Sequence, residues 1–72
     1  MTIRGYARDV HQEQLLLDAG AEVLHREKYP SSKNAMARVL LSIRRGDVVL
    51  LPRGVDLLED IEPTGATLRI VG

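Results

Sequence analysis

Four side chains of this sequence could contribute to binding an anion: Arg8, His11, Lys33 and Arg53. Arginine and lysine donate charge-assisted hydrogen bonds to phosphate groups, and arginine can donate two in parallel. A site built from Arg8, Arg53 and Lys33 would therefore bind phosphate, a nucleotide or the backbone of DNA. The alternative is that these residues are solvated loop charges paired with Asp9 and Glu27.

Two other patterns in the sequence could support catalysis. Asp9 and His11 are spaced as a base or metal-binding pair, but two ligands on one short loop lack the third that such a site needs. Ser31 and Ser32 carry hydroxyl groups that could act as nucleophiles, yet both lie where a helix needs an N-cap, which favours capping. No metal or other cofactor is therefore expected, and His25 is interpreted as structural.

These candidates must be positioned by strands and helices, and the clearest such element is the stretch from Val48 to Leu51. Its four consecutive large apolar residues lie between glycine-containing turns, a pattern typical of a strand buried on both faces. Earlier in the chain, Thr2 to Ala7 alternates as a short strand does. Val10 to Ala19 predicts a helix that Asp9 caps and Gly20 ends.

A second strand and a second helix are predicted between these elements. Ala21 to Arg26 follows a turn glycine without helical periodicity, which indicates a strand. The second helix is predicted from one apolar face, formed by Ala35, Met36, Val39, Leu40 and Ile43. Arg44 and Arg45 are expected in its last turn, where cations complement the helix dipole, and Gly46 supplies its stop.

The last third of the chain predicts one short helix and one strand. Pro52 to Gly54 is typical of a turn. The short helix is predicted from the apolar residues Val55, Leu57, Leu58 and Ile61. Ala66 to Val71 alternates as a strand does.

Strands and helices therefore alternate in the order βαβαβαβ, which favours a parallel sheet with right-handed crossovers. We expect residues 1–72 to form a single α/β domain of three layers, with a four-stranded, flavodoxin-like sheet in the order 2-1-3-4. Ligands bind such sheets beyond the carboxyl ends of the strands, where the strand order reverses. Here that crevice lies between the first strand, which Arg8 follows, and the third, which Arg53 follows.

The composition excludes several classes of protein. The 72 residues include no cysteine, so neither a disulfide framework nor a thiolate metal site is expected. Ten basic residues balance ten acidic ones, so the net charge does not drive the chain onto nucleic acid. Only Tyr6 and Tyr29 are aromatic, which argues against folds that stack bases on aromatic platforms. No apolar run approaches the length of about 18 residues that a membrane span needs, and a cytoplasmic location is expected.

The sequence also resembles a known family in several short motifs. They are Tyr6-Ala7-Arg8, Gln14-Leu15, Leu17, Ala19-Gly20, Glu27-Lys28, Ser31-Ser32-Lys33, the helix from Met36 to Ile43, and Gly46-Asp47-Val48. Together they resemble the N-terminal catalytic domain of the serine recombinases, the resolvase/invertase group. The resemblance spans nearly all of this chain but only the first part of that domain, and it implies a resolvase-like fold.

The resemblance implies little of that family's chemistry. Arg8 matches an arginine that supports the scissile phosphate, but Asp9-Val10-His11 follows where the family carries its nucleophilic serine. Lys33 matches a conserved basic position. The segment from Arg53 to Asp60 has lost or displaced the arginines of the family's second signature. Because phosphoryl transfer needs a nucleophile and several converging cations, recombinase activity is not expected.

The sequence therefore leaves three functions open. The first is a catalytically inactive resolvase-like protein of phage or mobile-element origin, which binds a protein or DNA partner in recombination or its regulation. Leu41, on the back of the second helix, is expected to be exposed and to support a homodimer or another protein contact, while DNA binding is expected to be weak and salt-dependent. The second is a small phosphate- or nucleotide-binding module, and the least favoured is a hydrolase that uses Asp9 and His11.

Overall fold

The computed structural model describes residues 1–29 and 32–72. Its helices and strands follow the chain in the order β1 (Ile3–Ala7), α1 (Val10–Asp18), β2 (Val23–Arg26), α2 (Asn34–Ser42), β3 (Val48–Pro52), α3 (Leu58–Ile61) and β4 (Thr67–Val71), with a short 3₁₀ helix (Glu62–Thr64) before β4. The four strands are all parallel and lie in the order β2-β1-β3-β4. The predicted fold class, the parallel sheet and the strand order are confirmed.

The central strand, β3, is covered on both faces. It pairs with β1 on one side and β4 on the other, and Val49, Leu50 and Leu51 are at most 2% exposed. Leu50 points to the face that α1 covers, in contact with the cluster of Leu16 and Ala7. The buried strand predicted from four consecutive apolar residues is confirmed.

The other face of the sheet carries the larger part of the core. Tyr6 from β1 and Leu51 from β3 pack there against Val39 of α2 and Ile61 of α3. Helix α1 therefore lies alone on one face, while α2 and α3 share the other, and the domain has the three layers expected. In the described part of the chain, no helix is long and apolar enough to cross a membrane.

Helix α1 approaches the sheet closely at Gly5. A Cβ atom built on Gly5 would lie 2.9 Å from Cδ1 of Leu24 and 3.2 Å from Cδ1 of Leu16. Since real Cβ atoms do not tolerate the shorter distance, any side chain at position 5 would require Leu24 to move, and glycine fits this spacing of β1, β2 and α1 without such a shift.

The end of α2 differs from the prediction. The helix ends at Ser42, so Arg44 and Arg45 lie in the following turn rather than in its last turn. The buried carboxylate of Asp47 explains the difference, because it accepts hydrogen bonds from the backbone N–H groups of Arg44 at 3.0 Å and Thr2 at 3.1 Å. These bonds favour a turn that leads directly into β3.

Two further boundaries differ from the prediction. Pro52 is the last residue of β3 rather than the first of a turn, and the strand continues because the next backbone N–H, that of Arg53, donates to the carbonyl of Val71. Helix α3 has only four residues before the chain tightens into the 3₁₀ helix that contains Pro63. Gly65 then ends this segment with a φ of 84°, a conformation that favours glycine.

Candidate functional site

Two buried polar side chains meet where β1 and β2 end. The hydroxyl of Tyr6 donates a 2.6 Å hydrogen bond to Oε2 of Glu27, and both residues are at most 2% exposed. The parallel register of the two strands brings them together, because Ala7 lies opposite Arg26 and the N–H of Glu27 donates to the carbonyl of Ala7. Both side chains thus project to the face that α2 covers.

The carboxylate of Glu27 caps the N-terminus of α2. Its Oε1 accepts a 2.8 Å hydrogen bond from the N–H of Ala35, and its Oε2 accepts one of 3.1 Å from the N–H of Met36. The first N–H groups of a helix have no partner within it and carry a partial positive charge, so a carboxylate there is stabilised. Glu27 therefore occupies the position in which a free anion would otherwise bind to α2.

Arg8 extends this arrangement to the carboxyl end of β1. Its Nη1 donates a 2.9 Å hydrogen bond to the hydroxyl oxygen of Tyr6, while its backbone N–H donates to Oε1 of Gln12 at 2.7 Å. We call the three linked side chains the Arg8–Tyr6–Glu27 network. The Tyr6 hydroxyl accepts a hydrogen bond from the Arg8 guanidinium and donates one to the Glu27 carboxylate. The charges of Arg8 and Glu27 therefore fix the direction of both hydrogen bonds.

The network shifts the pKa values of its members in opposite directions. Burial and the neighbouring Glu27 carboxylate raise the pKa of Tyr6 to about 12, although Arg8 acts against this rise. Burial also raises the pKa of Glu27, but hydrogen bonds from Tyr6, from the N–H groups of Ala35 and Met36, and from Ser32 outweigh it, so the pKa lies below its ordinary value. At neutral pH, Tyr6 is a protonated donor and Glu27 a charged acceptor.

This chemistry suits a structural role better than a catalytic one. A tyrosine with a pKa of about 12 is a poor general base or nucleophile at neutral pH. The Glu27 carboxylate is buried and already accepts hydrogen bonds from Tyr6, Ala35 and Met36. What the network does is hold Arg8 at the carboxyl end of β1, the edge at which the strand order predicts ligand binding.

Asp9 and His11 lie at the N-terminus of α1. Oδ1 of Asp9 accepts a 2.8 Å hydrogen bond from the N–H of Gln12, so Asp9 is the N-cap of α1 as predicted. His11 is exposed in the first turn of that helix. Among residues 1–29 and 32–72, no group of three metal-binding side chains could hold a metal ion.

Lys33 and Ser32 lie at the start of α2. Lys33 is exposed and occupies the N-cap position without making a side-chain capping bond. Ser32 accepts a 3.3 Å hydrogen bond from the N–H of Asn34, which partly fulfils the capping role predicted for it. Ser31 and Pro30 lie outside the described residues.

Arg53 is exposed and is bonded to the end of the neighbouring strand. Its Nε donates a 2.8 Å hydrogen bond to the carbonyl oxygen of Gly72. Arg8 is bonded instead toward α2, so the described bonds of the two arginines lead to opposite sides of the β1–β3 pair. A joint anion site of Arg8, Lys33 and Arg53 remains a prediction, and the described part of the chain encloses no pocket at this edge or elsewhere.

The roles of Tyr6 and Glu27 were not predicted from the sequence. The alternation of Thr2 to Ala7 puts Tyr6 on the same strand face as Thr2 and Arg4, which does not indicate burial, and Glu27 was interpreted as an ordinary loop charge. The usable signal was the absence of an acidic residue from the first turn of α2, which left its N–H groups to be capped from elsewhere. A glutamate that directly follows a strand and precedes a helix by several residues is a candidate for such a cap.

Comparison with protein-family models and with curated proteins gives no match to this chain. The resemblance to the serine recombinases therefore depends on the short motifs given above. The function of the site has to be inferred from its geometry and charge.

Proposed function

We propose that this chain is a noncatalytic, resolvase-like protein of phage or mobile-element origin, which acts by binding a protein or DNA partner in recombination or its regulation. One observation above all supports the proposal. In the resembled family a serine nucleophile follows the arginine that Arg8 matches, whereas here only Asp9 separates Arg8 from helix α1, and Asp9 caps that helix.

The hydrogen bonds of Arg8 fit the same proposal. The arginine is held by Tyr6, and Tyr6 by Glu27, so its position is maintained by the fold without a substrate. The loop between β1 and α1 consists of Arg8 and Asp9 and carries no hydroxyl group that could attack a phosphate. A scaffold that keeps its cation without a nucleophile can bind but cannot form the covalent phosphoserine link.

Covalent capture on DNA tests the absence of catalysis. The protein is incubated with supercoiled plasmid and with labelled duplex DNA, and the products are separated under denaturing conditions. We expect neither strand breaks nor a protein–DNA adduct. An adduct that Ser32→Ala abolishes, but that Ser42→Ala, at the half-buried last residue of α2, retains, would contradict the proposal.

Binding to DNA is tested separately by fluorescence anisotropy. Since the net charge is zero, we expect only weak binding that decreases steeply with salt. Binding that persists at physiological salt would make DNA the main partner. No binding at low salt would leave a protein as the partner.

A small phosphate- or nucleotide-binding module is the second candidate. It is favoured by the three cations at one edge of the sheet, Arg8, Lys33 and Arg53, but the occupied N-terminus of α2 counts against it. Titration with inorganic phosphate, followed by amide NMR, should shift the signals of residues 7–11 and 53–55 together. Scattered shifts, or none, would eliminate this candidate.

A further inference from the structure

We infer that the chain binds a second copy of itself through two oppositely charged surfaces on the α2–α3 face. The inference deepens the proposed function, on which it rests, by naming the partner. The basic surface comprises Arg38, Leu41, Arg44 and Arg45, on α2 and the turn after it. The acidic surface comprises Asp56, Leu58, Glu59, Asp60 and Glu62, around α3.

The basic surface has an apolar centre. Leu41 is 87% exposed on the outer side of α2, three residues from Arg38 in one direction and from Arg44 in the other. All three basic side chains of the surface are exposed. Positions 28–46 contain no acidic residue, so the charge of this segment is not neutralised along the chain.

The acidic surface also has an exposed leucine beside several charged side chains, but these charges are negative. Leu58 is 47% exposed and is followed directly by the exposed carboxylates of Glu59 and Asp60. Positions 54–68 contain no basic residue. Each surface therefore combines an exposed leucine with several charges of one sign, as the centre and rim of a protein interface do.

The two surfaces do not neutralise each other within one molecule. In the described part of the chain, the ion pairs are Arg4 with Asp47 and Arg26 with Glu13. Neither pair involves a residue of either surface. Two exposed regions of opposite sign therefore lie on one face of a protein whose net charge is zero, and such regions attract the complementary region of another molecule.

Symmetry allows both contacts to form at once. Helix α2 packs over β1 and β2, and α3 packs beside β4, so the two surfaces lie side by side on the same face. In a face-to-face dimer with a two-fold axis along the helices, each basic surface meets the partner's acidic surface. A two-fold axis across the helices would instead oppose like charges, so the charge distribution selects the first arrangement.

A dimer of this kind would use a sizeable part of the molecular surface. A stable interface buries roughly 800 Å² of each partner, and the accessible surface of this chain is 4761 Å². The interface would thus cover about a sixth of the molecule. Electrostatic attraction at the rim makes the association sensitive to salt.

Sedimentation velocity of the full chain over a range of concentrations tests the inference first. We expect a monomer–dimer equilibrium that weakens as salt rises from about 50 mM to about 500 mM. Leu41→Ala should raise the dimer dissociation constant about tenfold or more. Leu17→Ala, which shortens an exposed leucine of α1 on the opposite face, is the matched control and should leave it unchanged.

Charge reversal provides the sharper test. The double variant Arg38→Glu/Arg44→Glu should be monomeric, because both of its surfaces are acidic, and the triple variant Glu59→Arg/Asp60→Arg/Glu62→Arg should be monomeric because both are basic. Mixing the two should restore a dimer through two attractive contacts. Circular dichroism checks that each variant is folded, and Asp18→Arg on α1 controls for a charge change away from the face.

Several results would overturn the inference. These are a wild-type monomer at all concentrations, a dimer that is unaffected by Leu41→Ala, or a mixture of the two reversed variants that stays monomeric. If the chain is monomeric but retains duplex DNA at physiological salt through Arg38 and Arg44, the self-association fails while the proposed function survives. A covalent DNA adduct would instead remove the proposed function.

Discussion

The hydroxyl of Tyr6 donates its hydrogen bond to a glutamate that is itself the cap of another element, so one side chain of β1 stabilises the start of α2 through Glu27. Tyr6→Phe removes that donor and leaves the buried carboxylate with fewer partners. We expect a loss of about 1.5–3 kcal/mol in the free energy of unfolding, measured by urea denaturation.

The same substitution should change the titration of Glu27. Its pKa should rise in Tyr6→Phe, because the hydrogen bond from Tyr6 is the largest of the effects that lower it. Carboxyl ¹³C NMR over a pH series measures this directly. Tyr29→Phe, at the exposed tyrosine, is the control, and equal effects of the two substitutions would contradict the role given to Tyr6.

Glu27 should also contribute to acid unfolding. Its pKa in the folded protein lies below the ordinary value of 4.5, so the unfolded chain binds the proton more readily. The stabilisation is therefore present above about pH 4.5 and is lost as the pH falls through the folded pKa. Asp47 contributes to the pH dependence of stability in the same direction, because backbone hydrogen bonds from Arg44 and Thr2 lower its pKa.

Glu27→Gln distinguishes the contribution of Glu27 to acid unfolding from that of Asp47. The variant should be less stable at neutral pH and should lose less stability than the wild type between about pH 5 and about pH 3. Amide exchange at Ala35 and Met36 should accelerate, since their N–H groups lose a charged acceptor. Asp18→Asn, at an exposed carboxylate on α1, is the matched control, and an unchanged acid transition in Glu27→Gln would refute this assignment.

His25 should make stability depend on pH in a higher range. Its Nε2 is buried and has no hydrogen-bond partner among the described residues. Burial, and the charges of Arg4 and Arg38, lower its pKa below 6.5. The unfolded chain therefore takes up a proton first, and stability present above about pH 6.5 is lost as the pH falls toward the folded pKa.

Urea denaturation at about pH 7.5 and about pH 5.5 measures this loss. His25→Leu should show a smaller difference between the two pH values than the wild type. His11→Gln controls for removal of a histidine, since His11 is exposed on α1. A His25→Leu protein with the full wild-type difference would show that other groups cause it.

Gly5→Ala tests the close packing of α1 on the sheet. The added methyl group would meet Leu24 at 2.9 Å, and relieving that contact should cost about 1–3 kcal/mol of the free energy of unfolding. Shortening the neighbour in Gly5→Ala/Leu24→Val should recover part of the loss. A stability of Gly5→Ala equal to that of the wild type would show that the side chains around Gly5 can shift at little cost.

Much of the fold could be predicted because local patterns and packing agree. The apolar run of β3 requires cover on both faces, and the alternation of strands with helices provides it in a parallel sheet. The Asp9 cap and Gly20 also located α1 correctly, since both act through neighbouring residues. The end of α2 was misplaced because it is set by Asp47, whose partners include Thr2 from the distant start of the chain.

The site was less predictable for a related reason. Arg8, His11, Lys33 and Arg53 could be chosen as cations or polar groups near strand ends, but their partners depend on tertiary structure. The bond of Tyr6 to Glu27 requires the β1–β2 register and the placement of α2 over both strands. No local pattern of Glu27 specifies that it is buried, whereas the exposure of Leu41 followed directly from helical periodicity.

The occupied end of α2 has a consequence for competition between anions. Glu27 is an intramolecular ligand, so its effective concentration at the Ala35 and Met36 amides is set by the fold and exceeds that of a dissolved anion. Millimolar phosphate or salt therefore competes poorly for this position, and its occupancy is independent of protein concentration. Dissolved anions therefore do not displace Glu27 from the N-terminus of α2, and a partner can contact this helix only on its outer side.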